Sequence, residues 1–362
     1  MEKNTENIKL ILSKINYPGF NRDIVSFGIV KDIRLVDDNV YLSLSVKTND
    51  ENNKKIIENE IRNYLSKEFN FSDIKISFVF ESISPNNSNP NIKKIIAVSS
   101  CKGGVGKSTI ALNLALEISK NFKVGLLDLD IYGPSLSTLI NFNEQPKFDG
   151  NKIYPINKYG IELMSFGFIN NENSPTIWRG PMVSRMTQQF FDDVEWGDLD
   201  YLILDLPPGT GDIQLTLVQK IALDGAVIVT TPQQLSNIDV KKGSDMFNKV
   251  KTPIIGVIEN MSGLDINGKI LNYSENLDID INGQKITSDS DGNFSLKLDV
   301  FKGSSGESES SRLNLPLLGK IGLDPMLSEC CDIGDPYVLK YDNTLVKKEF
   351  EKIASYITKN NN

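Results

Sequence analysis

The sequence predicts an α/β fold, a mostly parallel sheet with helices on both faces, preceded by a small α+β domain. Three observations carry that expectation. From Ile95 onward, short apolar runs alternate with amphipathic helical stretches: Ile95 to Val98, Val124 to Leu127, Tyr201 to Leu204, Ala226 to Val229, Ile254 to Ile258 and Leu315 to Leu318. Strands that are apolar throughout are those buried on both faces, as in a parallel sheet between helical layers. Upstream the pattern changes to strict alternation, the mark of strands with one wet face. Between the two regions stands Ser84-Pro85-Asn86-Asn87-Ser88-Asn89-Pro90-Asn91, polar, proline-containing and aperiodic, which reads as a linker.

In chain order, Ile8, Ile11, Leu12 and Ile15 recur at helical spacing. Val40, Leu42, Leu44 and Val46 form one face of a strand, and Ile74, Ile76, Phe78 and Phe80 one face of another. A helix carrying Ile57, Ile61, Tyr64 and Leu65 lies between them, so residues 1–83 are predicted to be a half-covered sheet. The linker spans 84–92 and the large domain 93–362. Its rhythm breaks at about 264–300, where Asp265-Ile266-Asn267-Gly268 is nearly repeated by Asp280-Ile281-Asn282-Gly283 and followed by Asp291-Gly292. Asn-Gly and Asp-Gly pairs between apolar residues favour tight hairpins, so a β-hairpin insert is expected.

Bulk properties narrow the function. With 362 residues and 40% hydrophobic content, a sizeable core is expected. The 39 Lys and Arg face 47 Asp and Glu, and a net charge of -8 offers no general attraction to nucleic acid or an anionic membrane, so neither is expected as a partner. The start Met1-Glu2-Lys3-Asn4 lacks the basic and apolar blocks of a signal peptide, and no apolar run approaches the roughly 20 residues that span a bilayer. A cytoplasmic location is expected. Three cysteines, Cys101, Cys330 and Cys331, form neither a disulfide framework nor a C-x-x-C pair. The absence of histidine excludes mechanisms that need an imidazole.

The chemistry concentrates at residues 101–109. Cys101-Lys102-Gly103-Gly104-Val105-Gly106-Lys107-Ser108-Thr109 follows a strand ending near Ser99 and opens a helix near Lys107. Glycines at 103, 104 and 106 let backbone N–H groups turn toward phosphate oxygens, and the helix adds its positive end. Lys107 is placed to reach the β- and γ-phosphates, Ser108 to coordinate Mg2+, and Thr109 to donate to the α-phosphate. This is a P-loop, so the large domain is predicted to be a P-loop NTPase using ATP. Cys101 stands where the general G-x-x-x-x-G-K-S pattern has its first glycine; if that position needs φ > 0, the side chain is strained by on the order of 1 kcal/mol. Tyr201-Leu202-Ile203-Leu204-Asp205 is an apolar strand ending in a carboxylate, which assigns Asp205 to Mg2+.

Lys102, a second lysine early in the loop, resembles the deviant Walker A group that includes MinD and ParA. The resemblance implies that Lys102 reaches the partner's nucleotide across an ATP-stabilised homodimer, the alternative being a solvated loop lysine. It also implies that the second carboxylate of Leu127-Asp128-Leu129-Asp130 positions the attacking water, which makes Asp130 a catalytic candidate beside Lys102 and Lys107. The alternative for Asp130 is a surface turn.

Further blocks narrow the group. Asp130-Ile131-Tyr132-Gly133-Pro134-Ser135, Trp178-Arg179-Gly180-Pro181-Met182, Asp205-Leu206-Pro207-Pro208-Gly209-Thr210-Gly211-Asp212, Thr230-Thr231-Pro232-Gln233 and Glu259-Asn260-Met261-Ser262 together resemble the Mrp/ApbC family of iron–sulfur cluster carrier ATPases. The likeness runs from about Lys93 to Tyr337 apart from the insert. It implies an ATP-hydrolysing carrier of [4Fe–4S] clusters with iron–sulfur client or scaffold proteins as partners, a γ-phosphate switch at Asp205 to Asp212, and Asn260 at the base. Trp178 and Arg179 would otherwise simply anchor a loop.

One departure stands out. The family carries a C-x-x-C pair shortly after the Asn-Met-Ser block, one pair from each subunit holding a bridging cluster, and here the insert occupies that place, so the cluster ligands are unknown. Adjacent Cys330 and Cys331 on a helix would point in different directions. Two other functions follow from the same residues. One is a MinD/ParA-type switch on membrane or DNA, using the stripe Val346, Phe350, Ile353 and Ile357 with Lys347, Lys348 and Lys352 nearby, a stripe that packing onto the domain also explains. The other is a cluster-free ATPase scaffold with the insert as its docking surface.

Overall fold

The structure is a computed structural model. It describes residues 3–16, 23–26, 29–45, 51–79, 91–150, 152–169, 187, 189–191, 193–233, 236–271, 279–281 and 283–360. The chain divides into two units, Met1–Ser84 and Pro85–Asn362.

The first unit contains α1 (Thr5–Leu12), β1 (Val30–Val36), β2 (Asn39–Ser45), α2 (Glu51–Glu68) and β3 (Asp73–Val79). Asn4 caps α1 by accepting from Asn7 N at 2.8 Å, satisfying one of the amides a helix start leaves open. The sheet runs β1-β2-β3, with β1 and β2 antiparallel and β2 and β3 parallel across the α2 crossover. Ile8, Ile11 and Leu12 of α1 and Ile57, Ile61 and Leu65 of α2 close over Val40, Leu42 and Leu44 of β2 as one buried core. Three details differ from the sequence expectation. Ile15 is buried but lies beyond α1, Tyr64 is 38% exposed rather than facing the core, and β1 was not foreseen. In β1 Lys31, Asp32 and Arg34 interrupt the apolar alternation, as suits an edge strand. Val46 and Phe80 lie outside the described residues.

The first strand of the second unit starts at Ile92, inside the stretch whose composition reads as linker. Its elements are β4 (Ile92–Ser100), α3 (Lys107–Ser119), β5 (Val124–Asp128), α4 (Leu136–Leu139), β6 (Lys147–Asp149), β7 (Lys152–Tyr154), β8 (Ile156–Lys158), β9 (Ile161–Ser165), α5 (Phe166–Ile169), β10 (Leu199–Asp205), α6 (Asp212–Lys220), β11 (Gly225–Thr230), α7 (Ser236–Lys249), β12 (Ile254–Lys269), β13 (Ile279–Ile281), β14 (Gln284–Ile286), β15 (Asn293–Leu298), α8 (Ser305–Leu313), β16 (Leu317–Leu323), α9 (Pro325–Ile333), α10 (Tyr337–Lys340) and α11 (Leu345–Asn360).

The central sheet runs β15-β12-β11-β4-β10-β5-β9-β8, with β16 also on β12. Its inner pairs are parallel; β15 on β12 and β8 on β9 are antiparallel at the edges. Every residue of β5 and β11 is buried, which is why these runs read as continuously apolar. The insert joins this sheet. Met261 (φ 58) and Gly263 (φ 101) bend β12 in the left-handed region, and its second half, Leu264 to Lys269, pairs with β15. The strand foreseen at Leu315 starts two residues later, because Pro316 has no N–H to give the ladder, although its carbonyl accepts from Val257 N at 3.0 Å.

The C-terminal helix α11 packs on α3 and β16, with Phe350, Ile353 and Ile357 fully buried and Val346 7% exposed. The apolar stripe is therefore core, and among the described residues no helix is long and apolar enough to cross a membrane. Lys347 is not part of a basic face: its Nζ is ion-paired with Glu117 of α3, both side chains at most 2% exposed, and donates to Val338 O at 2.7 Å. Removing one member of a buried pair leaves an uncompensated charge. Lys347→Met is expected to lower the unfolding free energy by about 3 to 5 kcal/mol in urea titration, with much of the loss recovered in Lys347→Met/Glu117→Leu.

Candidate nucleotide site

Three neighbouring parallel strands end on one edge of the sheet: β4 at Ser100, β10 at Asp205 and β5 at Asp128. Asp205 is in register with Val98 on one side and Asp128 on the other, so the residues following β4 emerge beside two carboxylates. Crevices at the carboxyl ends of parallel strands are where such sheets bind ligands.

The 101–106 loop leaves β4 and turns into α3. Gly104 (φ 76) and Gly106 (φ 80) take the left-handed backbone. Cys101 does not, so the strain expected there is absent; its Sγ packs against Gly243 of α7. Gly106 is the N-cap of α3 and gives no side-chain cap, which leaves the first-turn amides open to an anion. A side chain at Gly106 would fail on space as well, since its Cβ would stand 2.3 Å from Asn260 Nδ2. Asn260 Nδ2 donates to Val105 O at 2.8 Å, so this side chain clamps the loop from β12. Val105 is 4% exposed, an apolar anchor whose contribution to the cradle comes from its backbone. Gly103 and Gly104 are exposed on the open side.

Lys107, the first residue of α3, is 6% exposed and ion-paired with Asp205, with its Nζ also 3.3 Å from Ser108 Oγ. Burial raises the Asp205 carboxyl above its ordinary range, and the Lys107 ammonium opposes that shift. Asp128, 1% exposed, accepts from Asp130 N (3.0 Å), Leu136 N (3.4 Å) and Ser165 Oγ (3.0 Å). Burial, and then the Asp205 charge, pushes Asp128 up to about 7. One lysine therefore serves two buried carboxylates, an arrangement short of positive charge. Its donors are the hard oxygens of Ser108, Asp205 and Asp128, which suit Mg2+ completed by phosphate oxygens and water. Among the described residues no group of three or more Cys, Asp or Glu forms an all-protein metal cage.

Asp128 was not assigned a role from sequence. The signal was the Asp-x-Asp at the end of β5, and what it lacked was the register that sets Asp128 beside Asp205. Asp130, 9% exposed, accepts from Gly133 N at 3.2 Å and so shapes the turn after β5. The segment after Asp205 is tied to the loop strand by Gly209 N donating to Ser100 O at 2.9 Å, and α6 is tied to β4 by Gln214 Nε2 donating to Ser99 Oγ at 2.6 Å. Lys102 is exposed at the rim, its Nζ 3.5 Å from Gln233 Oε1. Thr109 Oγ1 lies 3.5 Å from Cys331 Sγ. The structure thus brings Lys107, Ser108, Asp205 and Asn260 together around the loop and leaves Lys102 outside. Trp178 to Met182 lie outside the described residues.

The cysteines are dispersed by role. Cys330 is 2% exposed in the core, Cys331 leans on α3, and Cys101 on α7. Burial raises the thiols of Cys330 and Cys331 above the ordinary range, which disfavours the thiolate a metal requires. The segment following Ser262 is the bent half of β12 and its partner β15, with no cysteine.

Residues 91–276 match the ParA family model described as NUBPL iron-transfer P-loop NTPase. The chain is 35% identical over 359 residues to the iron-sulfur cluster carrier protein of Helicobacter pylori, covering 96% of this chain and 90% of that protein. It is 41% identical over 273 residues to the protein of that name from Aquifex aeolicus, covering 74% and 68%. Among solved structures, the nucleotide-binding protein from Archaeoglobus fulgidus in complex with ADP is similar at 31% identity and TM-score 0.54, over 70% of this chain and 91% of that one. MinD from Pyrococcus horikoshii with Mg-ADP shares the fold at 18% identity and TM-score 0.51, over 74% and 96%.

Proposed function

The chain belongs to the iron–sulfur cluster carrier family of P-loop NTPases, and from that premise we propose that it binds and hydrolyses ATP as a nucleotide-bridged homodimer that carries iron–sulfur clusters to client proteins in the cytoplasm. The observation that carries the nucleotide half is the phosphate loop with Lys107 held on buried Asp205 beside Asp128.

In this reading the open amides of Gly104 to Ser108 cradle the phosphates. Lys107 leaves Asp205 for the β- and γ-phosphate oxygens, and Ser108 and Asp205 hold Mg2+, with Asp128 adjoining. Mg2+ held there would neutralise the negative charge that develops on the leaving β-phosphate oxygens. Thr109 donates to the α-phosphate. Asp130 holds the attacking water in line, and with no histidine in the chain the rate rests on positioning and charge neutralisation. Asn260 keeps the loop closed through Val105 while its Oδ1 faces the base. Lys102 completes the partner's site, which its exposure at the rim permits. Lys102→Ala is expected to keep ATP affinity within a factor of two or so while lowering turnover by roughly 10³-fold, the scale of a cation supplied in trans. A steady-state assay paired with equilibrium ATP binding checks it, and equal loss in both would place Lys102 in its own site instead.

The cluster is cargo, and this chain's own thiols do not form the usual cradle. No cysteine stands in a C-x-x-C pair, and a fully buried Cys330 offers no ligand at a dimer surface. That observation favours a second reading, an ATPase scaffold whose cluster-holding thiolates belong to a partner. Anaerobic reconstitution with iron and sulfide, followed by iron and labile-sulfide analysis of the ATP-bound protein, decides between them. Stoichiometric iron that survives gel filtration supports carriage by this chain, and iron only in the presence of a thiolate-bearing partner supports the scaffold. A membrane-positioning role loses its main support, since the C-terminal stripe is buried.

A further inference from the structure

Among the described residues six other than glycine take the left-handed backbone, and Met261 (φ 58) is the one that stands inside a strand. The other five lie in turns between strands or just past a helix, where such a backbone reverses the chain. Met261 has no side-chain oxygen or amide to favour that conformation. The reason lies in register. Asn260 pairs with Ile321 of β16 and Leu264 with Leu323, so Met261, Ser262 and Gly263 stand opposite Gly322 alone. A bulge of this kind re-aims the side chain it contains. Here the aim is the phosphate loop: Met261 Cε lies 4.0 Å from the point where a Cβ on Gly106 would stand, next to the Asn260 amide. Gly106 is the N-cap of α3, so the methyl end of the thioether borders the phosphate cradle. Met261 is half-buried, whereas Asn260 and Ser262 on either side are 5% and 6% exposed.

The two flanks of the loop differ in chemistry. In the strand order β12-β11-β4-β10-β5 the loop leaves β4, in the middle. On the β10 and β5 flank stand Asp205 and Asp128 with Lys107, the groups for Mg2+ and the β- and γ-phosphates. A triphosphate lying along the loop with its metal-bound end on that flank sends its nucleoside toward the other. There Asn260 and Met261 of β12 reach the loop, an amide and a thioether that carry no charge. A flat, uncharged ring suits that flank, because a methionine methyl and sulfur make favourable contacts with aromatic rings and both apolar surfaces shed water. We propose that Met261 is a further nucleotide-binding residue whose thioether end lies against the nucleobase, held there by the left-handed bulge in β12. The inference rests on the nucleotide reading of the phosphate loop. It also gives a reason for the backbone at Met261, since strained residues of this kind persist at ligand clamps.

The test titrates the full chain in Mg2+ with ATP and, by competition, with inorganic tripolyphosphate, which carries the phosphates without a base. Met261→Ala is expected to weaken ATP binding roughly three- to tenfold, the scale of a thioether–ring contact, and to leave tripolyphosphate affinity within a factor of about two. KM for ATP then rises by a similar factor while kcat holds, as when binding common to ground state and transition state is lost. Met261→Leu, which keeps the apolar reach, is expected to recover most of the affinity. Glycine takes the left-handed backbone freely, so Met261→Gly is expected to hold its urea midpoint while ATP affinity falls as in Met261→Ala, which separates binding from folding. ATP affinity that survives Met261→Ala, or that falls only in step with tripolyphosphate affinity, overturns the inference and leaves the phosphate loop reading in place. A parent chain that binds neither compound overturns that reading, and this inference with it.

Discussion

Lys107→Ala will lower ATP turnover by roughly a thousandfold or more and will also cost folding stability, more at pH 8 than at pH 5. The kinetic loss follows from taking away the loop's own buried ammonium, placed to stabilise charge that moves onto the β/γ-bridging oxygen, an effect of several kcal/mol when the donor sits in a dry, preorganised site. The stability loss comes from the other partner. Lys107 neutralises a carboxylate that is 2% exposed, and removal of one member of such a pair typically costs 3 to 5 kcal/mol, a scale from which some relief comes when the survivor takes up a proton. Without the lysine, the folded-state titration of Asp205 rises further above that of the unfolded chain. The penalty then grows as pH rises through that interval, which fixes the sign of the pH effect. Urea titrations of the two proteins at pH 5 and pH 8 check this, and a stability difference independent of pH would show that the two groups do not share charge. Lys107→Met, which keeps the aliphatic volume, separates lost charge from lost packing.

Asp128→Asn is expected to remove most of the Mg2+ dependence of nucleotide binding while making the empty protein relatively more stable at high pH. Asp128 titrates at about 7 in the fold against 3.8 as the ordinary value, because it is buried and because Asp205 repels its charge. Between those values the folded state holds a proton that the unfolded chain has released. Stability contributed by this group is therefore intact below pH 4, falls by roughly 1.4 kcal/mol per pH unit up to about 7, and is level above. Asparagine does not titrate. Relative to the parent, the variant should gain roughly 2 to 3 kcal/mol between pH 5 and pH 8, read from denaturant midpoints at constant ionic strength. Asparagine keeps an Oδ1 that can accept from Asp130 N but loses the second oxygen that accepts from Leu136 N and Ser165 Oγ, so a pH-independent loss is superposed on that gain, and a stability difference that does not change with pH would contradict the assignment.

The site and the fold were legible in the sequence to different depths. The phosphate loop could be read because its demands are local: glycine where φ is positive, lysine at the helix start, and a strand before it. Asp205 could be read because an apolar run ends on it. Asp128 drew no assignment, since its place beside Asp205 depends on strand register, a tertiary fact. Asn260 was placed at the base by resemblance, and its hydrogen bond to Val105 adds a clamp that no pattern reveals. In the fold, β1 was missed because a charged edge strand loses the alternation that marks its neighbours. The insert was legible as hairpins, yet its attachment to the central sheet turns on two left-handed residues, of which Met261 carries no sequence signal for that conformation. Lys347 shows the limit of stripe arguments: a lysine beside an apolar stripe reads as snorkelling surface charge unless its buried partner, Glu117, is known.

In the proposed function, the open amides of the 101–109 loop grip the phosphates of a nucleotide together with Lys107 and with Mg2+ held beside two buried carboxylates. Equilibrium titration of ATP into the purified chain, with and without Mg2+ and alongside Lys107→Ala, tests it directly. The expected result is tight binding that Mg2+ strengthens and that Lys107→Ala sharply weakens. Affinity indifferent to both Mg2+ and Lys107 would contradict it.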